Sequence, residues 1–163
     1  MTMQDKLAQA IEYRTAKRCD EAKTIFAELY AVNPDDVLVN YHYAWLHDSL
    51  GEEGAAVPFY ERAIAGGLPD TELRGAMLGL GSTYRTLGEY KKSADMLRRG
   101  MFRFPEAGEF PVFLAMALYN TGEHAEAMEL LLKVIADTAD DDGIQNFQRA
   151  ILFYADKLDE VWT

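Results

Sequence analysis

The segment Leu80-Gly81-Ser82-Thr83-Tyr84-Arg85-Thr86-Leu87-Gly88-Glu89-Tyr90-Lys91-Lys92-Ser93 decides the fold. It reads as the end of one amphipathic helix, a tight turn at Gly88, and the start of a second helix. The same signature surrounds Leu50-Gly51-Glu52 and Thr121-Gly122-Glu123, so the glycines lie 37 and then 34 residues apart. A small residue follows each glycine at about five positions: Ala56, Ser93 and Ala127. A repeat of this period marks a solenoid of helix hairpins, in which each unit buries its apolar face against the next.

Working outward, Leu7, Ala8, Ala10 and Ile11, then Ala22, Ile25, Phe26, Leu29 and Tyr30, have three- and four-residue spacing and predict two amphipathic helices. Lys17-Arg18-Cys19-Asp20 is the turn between them, and Asn33-Pro34 ends the pair. The next helices are predicted at about 37–50 and 53–65, 72–87 and 90–104, and 110–121 and 124–137. Asp70 or Thr71 is the expected cap of the helix at 72–87. Pro58 requires the helix that holds it either to begin later or to bend. After Asp140-Asp141-Asp142-Gly143, the pattern Ile144, Phe147, Ile151, Tyr154 and Leu158 predicts one further helix that covers the last apolar face. Nothing alternates with period two, so strands are not expected. No linker divides the chain, and a single domain spanning 1–163 is expected, with repeats at about 3–36, 37–73, 74–107 and 108–141 and a capping helix at 142–162.

In each pair the glycine supplies a positive φ at the turn. The small residue lets the two helices approach, and a large residue four positions later (Phe26, Tyr60, Leu97, Leu131) fills the space between pairs. A polar substitution at Ala56 or Ala127 is expected to cost stability through overpacking and a buried polar group.

These positions resemble the tetratricopeptide repeat. The clearest copy is Leu80-Gly81, Tyr84, Leu87-Gly88, Tyr90, Ser93, Leu97, Gly100 and Pro105. The second is Tyr43-Ala44, His47, Leu50-Gly51, Ala56, Tyr60, Ala63 and Pro69; the fourth is Leu114-Ala115, Leu118, Gly122, His124, Ala127, Leu131 and Val134. The first is worn, with Ala10, Tyr13, Ala22, Phe26, Leu29 and Pro34 but Lys17 where glycine is expected. The wider spacing between the second and third copies is expected to lengthen the loop around Gly66–Thr71. The resemblance covers about residues 3–141. It implies an all-α fold, a right-handed superhelical solenoid of antiparallel helix hairpins (α-α superhelix) with about nine helices.

It also implies a protein-interaction module that binds a peptide or protein segment in a concave groove lined by the first helix of each pair. By phase, the inward positions are Leu7, Ala8 and Ile11; Tyr41, His42 and Trp45; Leu78, Gly79 and Ser82; and Val112, Phe113 and Met116. Trp, Tyr and Met commonly anchor interfaces, although Trp45 and Phe113 would equally suit internal packing. One subclass of the family clamps the terminal carboxylate of its ligand. The matching positions here are Leu7, Ile11, His42, Gly75 and Gly79, which cannot form that clamp. Arg14 and Arg85 read as solvated arginines, with contact to an acidic peptide as the alternative.

Composition narrows the function further. Sixteen Lys and Arg against 27 Asp and Glu give a net charge of −11, which disfavours a nucleic-acid partner. No apolar run is long enough to cross a membrane, and Met1–Lys6 shows no secretory pattern, so a cytoplasmic location is expected by elimination. Cys19 is the sole cysteine and no histidine stands near it in sequence, so it reads as an ordinary side chain and not a nucleophile. His42 and His47 fall on different faces of their helix and are not a metal pair. The Asp140–Asp142 run lacks the alternating ligands of a calcium loop and reads as a helix start. No cofactor, metal or catalysis is expected. Self-association through the apolar C-terminal helix (Phe147, Phe153, Tyr154, Trp162) is the alternative function.

Overall fold

The computed structural model describes residues 1–162. Among them are ten helices and no strand. The chain forms two compact units, Met1–Gly88 and the part from Glu89 onward. The first unit holds α1 (Met3–Thr15), α2 (Cys19–Val32), α3 (Val37–Ser49), α4 (Glu53–Gly66) and α5 (Asp70–Thr86). The second holds α6 (Tyr90–Arg103), α7 (Glu109–Thr121), α8 (His124–Thr138), α9 (Asp142–Asn146) and α10 (Gln148–Tyr154).

The hairpin turns follow from one backbone requirement. Gly51, Gly88 and Gly122 have φ of 72°, 79° and 84°, and Lys17 occupies the equivalent place with φ of 60°. The residue after the turn donates its N–H back across it: Arg18 to Tyr13 O at 2.8 Å, Glu52 to His47 O at 2.9 Å and Glu123 to Leu118 O at 2.9 Å. This is the Schellman closure, which satisfies carbonyls that the helix end would leave unpaired. The acidic residue that follows Gly51 has a second role. Glu52 accepts from Lys23 Nζ at 2.8 Å and lies 2.5 Å from His47 Nδ1. A carboxylate only accepts, so that ring nitrogen carries its proton. One side chain thereby ties α2 and α3 to the start of α4.

The seams are built as the repeat pattern requires. Ala22, Ala56 and Ser93 are fully buried, and Ala127 nearly so. Phe26, Tyr60 and Leu97 are buried at the following large position. In the first unit Phe26 stacks on Tyr43 at 5.7 Å between ring centroids, and Phe59 meets Tyr30 edge-on at 5.2 Å. Each such pair adds about 0.5–1.5 kcal/mol beyond its burial. In the second unit the Phe110 ring occupies the place that a side chain at position 100 would take, so Gly100 is a steric necessity. Asp36 caps α3, accepting from the N–H groups of Leu38 and Val39 at 3.0 Å each.

Three details differ from the sequence reading. The extra residues after the second repeat do not lengthen a loop. They extend α5 to 17 residues, against 13 for α3, because the chain turns sharply at Gly67 (φ of 89°) and Pro69 precedes a helix that begins at Asp70, ahead of the expected start. Helix α4 does not begin late; it runs through Pro58. The carbonyl that loses its donor belongs to Gly54, which is exposed and open to water. The single capping helix expected at 142–162 is instead α9 and α10, broken at Phe147 (φ of −106°, ψ of 8°) and ending at Tyr154. Ile144 and Ile151 are half-buried, whereas Phe147, Tyr154 and Leu158 are exposed. The stripe is therefore not covered along its length, and burial does not hold one continuous helix. Asp141 does start α9, accepting from Ile144 N at 3.0 Å.

Among the described residues, Lys17 is the one residue with a Cβ in the left-handed region. That conformation costs a non-glycine residue about 1 kcal/mol. Lys17→Gly is expected to stabilise the protein by about that amount, seen as a higher urea midpoint with an unchanged slope.

Candidate functional site

The polar and aromatic groups that face solvent together in the first unit lie on α1 and α3. Trp45 remains 43% exposed, although Tyr41, one turn earlier, is buried. The Arg14 guanidinium of α1 lies over the Trp45 ring, with Cζ 3.9 Å from its centroid. Arg14 Nη1 donates to His42 Nδ1 at 3.1 Å. Arginine can only donate, so His42 accepts as a neutral imidazole and its other nitrogen holds the proton. His42 also lies parallel to Trp45, with centroids 6.5 Å apart and planes inclined by 20°. Burial, reinforced by the Arg14 charge, lowers the His42 pKa to about 4. Burial also lowers that of Arg14, opposed by the Tyr41 and Tyr60 hydroxyls.

A second layer supports this group. Tyr41 lies 6.5 Å from Tyr60 by ring centroids, and Tyr60 Oη donates to Asp48 Oδ2 at 3.4 Å. Thr83 Oγ1 of α5 donates to Asp48 Oδ1 at 3.1 Å. Burial pushes the pKa values of Asp48, Tyr41 and Tyr60 upward. Gly75 and Gly79 make room for the two tyrosines. A Cβ on Gly79 would lie 2.6 Å from Tyr60 Oη and 2.7 Å from Cζ, and one on Gly75 would meet the Tyr41 hydroxyl. The glycine pair is thus a cradle for aromatic rings and has no ligand-clamping role of its own.

The groove positions read from the sequence divide into groups. Tyr41, His42 and Trp45 come together with Arg14. Leu7 and Ile11 are half-buried and pack against the core of Ala10, Ala22, Phe26, Tyr43 and Leu46. Leu78 and Ser82 are half-buried on α5, and Ala8 is exposed on α1. Val112 and Phe113 are half-buried and Met116 exposed on α7 of the second unit. Arg14 is the residue the sequence reading undervalued: it is half-buried against Trp45 and not a solvated arginine. Its spacing from Leu7 and Ile11, seven and three residues, was the available signal. His47 is separate from this group. It stacks on Phe59, with centroids 5.4 Å apart, and faces Glu52. Cys19 is half-buried at the start of α2, against the same core.

A family model for the tetratricopeptide repeat matches residues 38–158. The chain belongs to the tetratricopeptide repeat family. A search of the curated proteins found no match. Several solved structures share the fold. MamA from Desulfovibrio magneticus RS-1, residues 41 to the end, is 18% identical with a TM-score of 0.77 over 86% of this chain and 78% of its own. PilF of Pseudomonas aeruginosa is 14% identical with a TM-score of 0.70 over 93% of this chain and 68% of its own. A chain of the Cut9–Hcn1 hetero-tetramer is 15% identical with a TM-score of 0.76 over 94% of this chain and 30% of its own. At these identities the likeness establishes the all-α helix-hairpin repeat fold. Tetratricopeptide repeats are generally protein-interaction scaffolds and not catalysts. Among the described residues, no helix is long and apolar enough to cross a membrane.

The His42 environment sets a pH dependence. Its folded pKa, about 4, lies below the unfolded value of about 6.5. Between these values the unfolded chain binds a proton that the native chain does not, so this contribution to stability is present above pH 6.5 and is lost as pH falls towards 4. In wild-type protein the His42 ring resonances should stay in their neutral positions from pH 7 to pH 5 by NMR. His42→Gln should show a shallower loss of urea midpoint over the same range.

Proposed function

We propose that this protein is a non-catalytic interaction module, and that the face of the first unit centred on Trp45 binds a peptide or protein segment. The observation that carries the reading is Trp45 itself: a large aromatic, nearly half exposed, backed by buried Tyr41 and fixed from one side by Arg14. A rigid aromatic with a solvent-facing surface loses little side-chain entropy on binding and offers a large apolar area, the profile of an interface anchor. Family membership supports the reading, as does the Cut9–Hcn1 hetero-tetramer, in which a chain of the same fold is part of an assembly. Val112, Phe113 and Met116 form a second, independent row on the other unit, and we assign them to partner contact as well.

The test is panning of a random dodecamer peptide library, fused through its C-termini to a phage coat protein, on the full chain. Enriched peptides, made in soluble form, should bind by calorimetry. Their affinity should fall about 30-fold in Trp45→Ala, the scale of an interface hot spot, while the helical circular dichroism is retained. Equal binding to Trp45→Ala, or no enrichment, rejects the assignment.

A second reading, self-association, rests on the C-terminal segment. Phe153, Tyr154 and Trp162 are each about half exposed and touch one another, with Tyr154 and Trp162 centroids 5.3 Å apart. Phe147 and Val161 extend this apolar surface. If it joins copies of the chain, sedimentation at about 100 µM should show a dimer or larger species that becomes monomeric when residues after Asp156 are deleted. A monomer in both cases removes the reading.

A further inference from the structure

We propose that Arg14, held against Trp45 and His42, anchors one acidic side chain, an aspartate or glutamate, in the segment bound by this face. The inference rests on the reading of the Trp45 face as a binding surface and specifies the chemistry of its ligand.

Among the described residues, Arg14 combines partial burial with the lack of a carboxylate partner, whereas Lys17, Arg62, Lys91, Arg99 and Arg149, which also lack one, are exposed. The chain has 27 acidic residues for 16 basic ones, so carboxylates are plentiful. Lys6 and Arg98 each pair with a glutamate from another helix, and Lys23 with Glu52 just before α4. Among the described residues, Arg14 has no carboxylate partner; its neighbours are the Trp45 ring and neutral His42. Neither neutralises its charge. The His42 contact uses one N–H of a guanidinium that has five. The guanidinium carbon lies over the indole ring, and the N–H groups not given to His42 remain as donors. Arg14 is only half-buried, so those donors can be reached from solvent. A planar fork with free edge donors matches a carboxylate in bidentate geometry. Stacking fixes the fork, so less freedom is lost when it binds.

The surroundings limit the ligand. The net charge of −11 repels a strongly acidic segment, and Glu72 is close enough to raise the pKa of Tyr41. A single carboxylate among apolar or basic residues therefore fits better than an acidic run. Apolar surface lies beside Arg14 on Trp45 of α3, and the half-buried Leu7 and Ile11 precede it on α1. A chain that continues past its carboxylate would cover both, which favours a side chain over a terminal carboxylate.

The dodecamer library described above supplies the probe, since its peptides have no free C-terminus, and soluble versions are amidated. The enriched peptides should share one aspartate or glutamate. Changing it to the amide should weaken binding to the wild-type chain tenfold or more, the scale of a charge-assisted hydrogen bond. The same change should matter little in Arg14→Met, and Arg14→Lys should lie between. If Arg14→Met fails to fold, the peptide change on the wild-type chain, compared with Arg14→Lys, reads the same contact. Peptides that depend on Trp45 but share no acidic position, or an amide effect equal in wild type and Arg14→Met, overturn the inference and leave the binding face intact. Recovery of the amide peptide's affinity by a free C-terminus overturns the side-chain assignment. Loss of all dependence on Trp45 overturns both readings.

Discussion

The turns between α1 and α2, α3 and α4, and α7 and α8 each rest on one residue with positive φ. An α-helix ends with unpaired carbonyls, and the chain must reverse within a few residues to bring the next helix alongside. A left-handed residue does both at once, since it swings the chain and aims the following N–H back at the helix end. Once the turn is set, the next helix starts in a fixed register. That register puts Ala22, Ala56 and Ala127 on the seam and places Phe26 and Tyr60 at the gap beyond it. The places of the small residue and the large residue are consequences of the turn, whereas the residue that follows is acidic after Gly51, Gly88 and Gly122 and is Arg18 in the first turn. Lys17 shows the constraint is geometric, because the backbone adopts the same conformation there without glycine.

This explains which parts of the fold were legible in the sequence. The glycine, the seam residue and the apolar spacing are local signals, and they located α3 to α8 closely. The tail was misread because its apolar residues repeat at helical spacing while nothing covers half of them. Periodicity reports the face a helix could bury, not whether a neighbour is there to bury it. The start of α5 was misplaced by two residues for a related reason. Two glycines and a proline signal a break, yet Asp70, Thr71 and Glu72 can all occupy a first helical turn, so the helix takes up residues assigned to a loop.

The candidate site was half legible. Phase along α3 identified Tyr41, His42 and Trp45, because one helix carries them. Arg14 joins them from another helix, and no spacing within α3 could show that contact. Gly75 and Gly79 did carry a signal. Each costs about 1 kcal/mol relative to alanine inside a helix, and two placed four apart on one face imply something large pressed against that face. The occupants, Tyr41 and Tyr60, come from the two preceding helices, so the signal announces a close neighbour without naming it.

The same packing explains why the site can hold a charge in a partly buried place. Tyr60 is fixed by Asp48 and by the Gly79 cradle, Tyr41 lies against Tyr60 over Gly75, and Trp45 and His42 rest on Tyr41. Arg14 is the last member of this series and its one cationic side chain. Desolvation opposes that charge, and the indole face and the His42 nitrogen offset part of the cost. In the first unit an exposed aromatic surface and a guanidinium with no carboxylate partner therefore lie side by side.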